Sequence, residues 1–166
     1  SDHVEKFIAP KKDRSHILRV VREVLFHEPE GTGTSLQSGL DFLMNVAKRK
    51  SVVFLISDFL DDGYWKSLKL ANKKHDMIGI RIADPAESKL PDLGLIKVHD
   101  PETGEMFWAN LSSEIERNTF SQSVMEKWET FEKECGRSRF DVINVGTDKD
   151  YVEPLMTYFR RREKRN

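Results

Sequence analysis

Apolar residues follow two rhythms along this chain. Three short runs are dense in Val, Ile, Leu and Phe: Ser51–Ile56, Met77–Ile82 and Phe140–Val145. Unbroken apolar stretches of this length suit strands buried on both faces, as in the middle of a parallel sheet. Ser51–Ile56, the most apolar, is therefore expected at the centre of a sheet with both faces covered. Asp58, the pair Asp84-Pro85 and the turn Gly146-Thr147-Asp148 stand just past the three runs. Between them the apolar spacing widens to that of a helix with one buried stripe. Ile17, Val20, Val21, Val24 and Leu25 make one stripe, and Leu36, Leu40, Leu43 and Ala47 a second. Trp65, Leu68 and Ala71 make a third, shorter one. Leu111, Ile115, Phe120, Val124, Trp128, Phe131 and Cys135 mark a long helix, and Tyr151, Leu155, Tyr158 and Phe159 the last. Thr34 or Ser35 suits an N-cap, and Ser113 with Glu116 has capping-box spacing.

Leu93–Val98 and Glu105–Ala109 break the alternation. They flank His99–Gly104, whose Pro and Gly predict a hairpin. Gly31–Gly33 is the most flexible-looking interior point, and Pro85–Pro91 reads as a surface loop. Strands alternating with helices imply an α/β domain with parallel strands and right-handed crossovers. In such sheets ligands gather beyond the carboxyl ends of the strands.

Composition narrows the classes. The 166 residues fit one domain. With 27 Lys plus Arg against 28 Asp plus Glu, the net charge of -1 argues against a dedicated nucleic-acid binder. Val52–Ile56 is far short of the roughly 20 residues that span a bilayer. Cys135 is the single cysteine, which excludes an internal disulfide and makes the reducing cytosol the expected compartment. It lies on a helical stripe, as a core residue would.

Thr34 and Asp58 are the most informative pair. Thr34 stands at a helix start and Asp58 at a strand end, so hydroxyl and carboxylate could both face a hard cation. The alternative is that each merely caps a helix. Asp58, Asp61 and Asp62 could bind magnesium, or Asp58 could accept a phosphoryl group. Equally, the three could be a solvated acidic helix start. His75-Asp76 reads as a surface histidine at a helix end rather than a catalytic dyad. No nucleophile elbow, phosphate-binding loop or dinucleotide fingerprint is present. Arg160–Arg165 reads as a solvated last helical turn rather than a nucleic-acid or lipid contact.

The strings Gly33–Leu40 and Ser51–Leu60 resemble the von Willebrand factor A-type fold. More narrowly, the chain is similar to the bacterial domain of unknown function family number 58. Val4–Pro10, Lys74–Asp76, Asp84–Glu87, Leu90–Leu95 and Asp100–Gly104 add to the likeness, which runs from about Val4 to Phe159. It implies a Rossmann-like three-layer α/β sheet with helices on both faces and a β-hairpin insertion. It also implies a non-enzymatic protein-interaction module of the bacterial cytoplasm, with a MoxR-type AAA+ ATPase as partner. In the A-type fold a bound cation bridges to a partner's carboxylate, and Thr34 and Asp58 match two of its ligands by position.

The departure from that pattern is the missing Asp-x-Ser-x-Ser motif, which supplies the other ligands. Ser1-Asp2 resembles the end of the family's second strand and Val4–Ile8 its short antiparallel edge strand. Residues 1–166 are therefore expected to be a single truncated domain, without the first strand and first helix and with a basic end at 160–166. Thr34 and Asp58 would be the remnant of a metal site. No metal or cofactor is expected in this chain, with magnesium reserved for an intact parent domain. The absent strand would lie beside Ser51–Ile56, leaving an unpaired edge that seeks another strand. Homo-oligomerisation through that edge is the expected result. Neither nucleic acid nor membrane is expected as a partner. The runner-up is a receiver-like phosphoacceptor with Asp58 as acceptor, although the acidic pair and late Lys of such domains are missing.

Overall fold

The structure, a computed structural model, describes residues 2–28, 30, 33–85, 90–99 and 106–164. The elements are α1 (Arg14–Phe26), α2 (Leu36–Val46), β1 (Val52–Ser57), α3 (Trp65–Lys74) and β2 (Asp76–Ala83). Then come β3 (Leu95–His99), β4 (Met106–Asn110), α4 (Glu114–Ser138), β5 (Asp141–Gly146) and α5 (Val152–Glu163). The three apolar runs are the strands of one parallel sheet in the order β1-β2-β5. Val53 lies opposite Met77, and Ile80 opposite both Ile56 and Ile143. The predicted hairpin is β3 paired antiparallel with β4. Its connecting residues 100–105, like 31–32 and 86–89 of the other expected loops, lie outside the described residues.

Local chemistry sets the helix starts. Asp13 accepts the His16 N–H at 2.6 Å, Ser35 that of Ser38 at 3.1 Å, and Ser113 that of Glu116 at 3.3 Å. Each side chain satisfies an orphan donor of the first turn. Thus Ser35, not Thr34, caps α2.

Helices cover both faces of the sheet, unequally. On one face α2, α3 and α4 enclose Leu40, Leu68, Ala71, Met77, Phe131 and Phe140. Gly79 of β2 belongs there because a Cβ would meet the Phe140 ring at 2.8 Å and the Phe59 ring at 3.2 Å. On the opposite face α5 packs through Tyr158 on Ile78, Ile143 and Val145. Arg162 fastens that helix: its guanidinium bonds the Asp76 carboxylate and the Tyr158 hydroxyl, which in turn bonds Asp141 at 3.1 Å. The Arg162 bond holds Asp76 below the usual carboxylate range.

One expectation is overturned. Ser51–Ile56 is not a central strand buried on both faces. β2 is central, and β1 lies at the edge. Val52, Phe54 and Ile56 are 59%, 46% and 63% exposed. The physical reason is that α5 packs on β5 and β2 and meets β1 at its margin, in an edge-to-face contact of Phe159 with Phe54, 6.2 Å between ring centres. Residues 2–12 form no strand, so the likeness of Val4–Ile8 to an edge strand is not met. The α1 stripe predicted from Ile17, Val21, Val24 and Leu25 is helical but exposed.

Candidate functional site

The site expected from the sequence lies beyond the carboxyl end of the sheet. Asp61 organises it: one of its oxygens accepts the Leu36 N–H at 2.7 Å, pinning the loop after β1 to the start of α2. Thr34 is two residues before Leu36 and Asp58 three before Asp61, so the two loops share one end of the molecule. Both side chains are exposed. Nothing in the sequence marked Asp61 as the link, because hydrogen bonding to a helix start 25 residues away leaves no spacing signal.

Asp58 is occupied locally. Its Oδ1 accepts the Leu60 N–H at 3.2 Å and the Ser57 hydroxyl at 3.3 Å, while Ser57 Oγ accepts the Phe59 N–H at 3.0 Å. These bonds hold Phe59 at φ 59°, a left-handed conformation that ordinary residues avoid. The turn drives the Phe59 ring inward, where it is buried. The acidic helix start expected of Asp58, Asp61 and Asp62 is not found. Helix α3 begins at Trp65 behind Tyr64, with no side-chain cap and no acid in its first turn. The three carboxylates sit in the preceding loop instead.

Magnesium takes six oxygens in near-octahedral order. Thr34 and Asp58 offer two side chains, and one Asp58 oxygen already accepts two hydrogen bonds. Among the described residues no group of three or more His, Cys, Asp or Glu side chains is placed to hold an ion. This donor set does not fit magnesium.

A second feature lies against the same loop. Phe59, Tyr64, Trp65, Trp128 and Phe131 form a continuous set of ring contacts, with centroid separations from 5.1 to 6.3 Å. Arg81 of β2 lies over the Trp128 ring. Burial pushes the Tyr64 phenol far above its ordinary range, and the charges of Cys135, Asp61, Asp62 and Asp58 push it further the same way. Cys135 is buried among these groups and its thiol is pushed up to about 12, first by burial and then by Glu132 and Glu134. It is a core residue, as its helical stripe indicated. The sequence placed Trp65 on one helical stripe and Trp128 and Phe131 on another; the packing of α3 on α4 joins them.

His75 corrects another expectation. It is 2% exposed, not a surface histidine. Neither ring nitrogen has a hydrogen-bond partner among the described residues. Burial, and then Lys74, lower its pKa from the ordinary 6.5. Its neighbour Asp76 faces Arg162, so the two do not form a dyad. At the other end of the sheet edge, Thr147 donates to Asp84 at 2.9 Å, tying the β5 and β2 exits together. No helix of the described residues is long and apolar enough to cross a membrane.

Comparison with known proteins agrees with the sequence likeness at family level. An uncharacterized protein of Mycobacterium avium is 22% identical over 155 residues, covering 93% of this chain and 90% of that protein. Uncharacterized proteins of Mycobacterium bovis and Mycobacterium tuberculosis are 22% identical over 137 residues, 82% of this chain. The chain spans only 43% of the length of these two. No solved structure is matched. The family model described as "Protein of unknown function DUF58" matches residues 1–130, which reach through most of α4, and the chain belongs to that family.

Proposed function

We propose that this chain is a non-enzymatic protein-binding module of von Willebrand factor A type, and that it binds by pairing the free edge of β1 with a second copy of itself. The observation that supports this is the edge position of β1 with one apolar face open. An edge strand offers a row of unpaired N–H and C=O groups, and native proteins normally blunt such edges with charge, proline or a covering element. Val52–Ser57 contains neither a charged residue nor a proline.

Thr34 and Asp58 are the remnant of a metal-ion-dependent adhesion site in this reading, without a cation of their own. The partner served is a MoxR-type AAA+ ATPase in the bacterial cytoplasm, a part of the proposal that rests on the resemblance in sequence. Adding this chain to a purified ATPase of that type and following its hydrolysis rate tests it, and an unchanged rate counts against it.

Sedimentation velocity across a wide concentration range tests the pairing. The wild-type chain is expected to move from monomer to dimer. Val52→Thr, Phe54→Thr and Ile56→Thr together should weaken the dimer. Each residue still exposes about half its side chain, so covering it is worth ~1 kcal/mol. Three per chain, six across the symmetric pair, amount to ~6 kcal/mol, on the order of ten-thousandfold in affinity. A wild-type chain that stays monomeric at every concentration contradicts the proposal.

A further inference from the structure

Two rings of the aromatic set beside the acidic loop, Trp65 and Trp128, are half-buried, and the other three are buried. A groove of about 390 Å³ runs between the loop after β1 and the middle of α4. Trp65, Trp128 and Phe131 line it, and Asp61, Asp62 and Glu126 line it with them. The size is within the range of ligand clefts. Aromatic faces attract cations, guanidinium above all, and neighbouring carboxylates add directional hydrogen bonds to the guanidinium fork. Among the described residues lining the groove, Lys127 is the one that is basic, against three carboxylates. Trp128 already receives the guanidinium of Arg81 within this fold.

We propose that this groove binds an arginine side chain presented by an extended segment of a protein partner, its guanidinium lying against Trp65 and Trp128 and its charge met by Asp62 and Glu126. The charge of the lining selects the occupant: an apolar or acidic segment would leave these carboxylates unpaired against its surface. The site is separate from the β1 edge. It takes up a basic partner whether the chain is monomeric or paired, so its failure and that of the pairing reading show in different experiments.

The chain has three tryptophans: Trp65, Trp108 and Trp128. Trp108 is exposed on the hairpin strand β4 and does not line the groove. Their indole N–H signals in ¹⁵N correlation spectra make an internal control. The full chain is titrated with the blocked tripeptide acetyl-Gly-Arg-Gly-amide. The expected result is movement of the Trp65 and Trp128 signals with a dissociation constant on the order of millimolar, while Trp108 stays fixed. Asp62→Asn with Glu126→Gln should weaken binding about three- to tenfold. Both positions are exposed, so the variant keeps its fold. The glutamine tripeptide should produce no movement. Three outcomes overturn the proposal: still signals at saturating peptide, equal response to the glutamine peptide, or full binding by the double variant. Movement of Trp108 alone would place the peptide on the hairpin and overturn it as well.

Discussion

Replacing Gly79 by Ala asks whether the covered face of the sheet is packed as described. The added carbon would sit 2.8 Å from Cζ and 3.0 Å from Cε1 of Phe140, and 3.2 Å from Cζ of Phe59. Ordinary carbon contacts lie near 3.5–4.0 Å, so both rings must retreat by several tenths of an ångström. Both rings are buried. Phe140 and Phe59 face each other at 6.2 Å, and Phe59 meets Phe131 at 5.1 Å and Tyr64 at 6.3 Å. Overpacking of this kind costs about 1–3 kcal/mol. Removing glycine from a strand interior returns roughly 0.5–1 kcal/mol. The net expected loss is ~1–2 kcal/mol. Urea unfolding followed by tryptophan fluorescence reads it as a lower midpoint with an unchanged slope. Gly39→Ala is the control, because a Cβ there meets nothing within 4 Å and α2 should gain slightly. A Gly79→Ala protein as stable as wild type would refute the packing of Phe140 and Phe59 over β2.

Stability should fall in two stages as pH is lowered. His75 has a folded pKa below 6.5, so the unfolded chain takes up the proton first and stability drops from about pH 6.5 downward. His75→Gln should flatten that stage in a pH series of urea midpoints. Asp76, held below the ordinary 3.8 by Arg162, stabilises the fold above that pH and loses its contribution below it. Asp76→Asn should shrink the lower stage, to which Asp13, Glu23 and Glu134 also contribute, and cost about 1–2 kcal/mol at neutral pH, since it strips the charged partner from Arg162. Calorimetric titration with magnesium should show no micromolar site, because Thr34 and Asp58 supply only two side-chain ligands; a tight site would contradict the donor-set argument. Treatment with a small phosphodonor should add no mass at Asp58, and a gain of one phosphoryl group would revive the phosphoacceptor reading.

The strands and helices were legible because their signals are local. Consecutive Val, Phe, Leu and Ile in β1, and the spacing of Leu36, Leu40 and Leu43, fix element type without reference to anything distant. What covers those elements is not local. The apolar run in β1 reads the same whether its faces are packed or open, so the sequence pattern placed at the centre a strand that stands at the edge. The same holds for α1, whose stripe is real but unpartnered, and for His75, whose burial depends on where α3 meets the sheet. At the site, Thr34 and Asp58 were found by their places at a helix start and a strand end. The residue joining their loops, Asp61, was visible only as one of three neighbouring acids. The ring set of Trp65, Trp128 and Phe131 spans two helices more than 60 positions apart in the chain. No periodicity within either helix reports on the other.

Amide hydrogen exchange along β1 is the most direct test of the proposed pairing. β1 is hydrogen-bonded to β2 on one side only. Alternate amides of Val52–Ser57 therefore face outward, with no acceptor from β2. These outward amides should be slow to exchange in concentrated solution and become fast on dilution, while the amides bonded to β2 stay protected throughout. Outward amides that exchange at the unprotected rate at every concentration would contradict the proposed pairing.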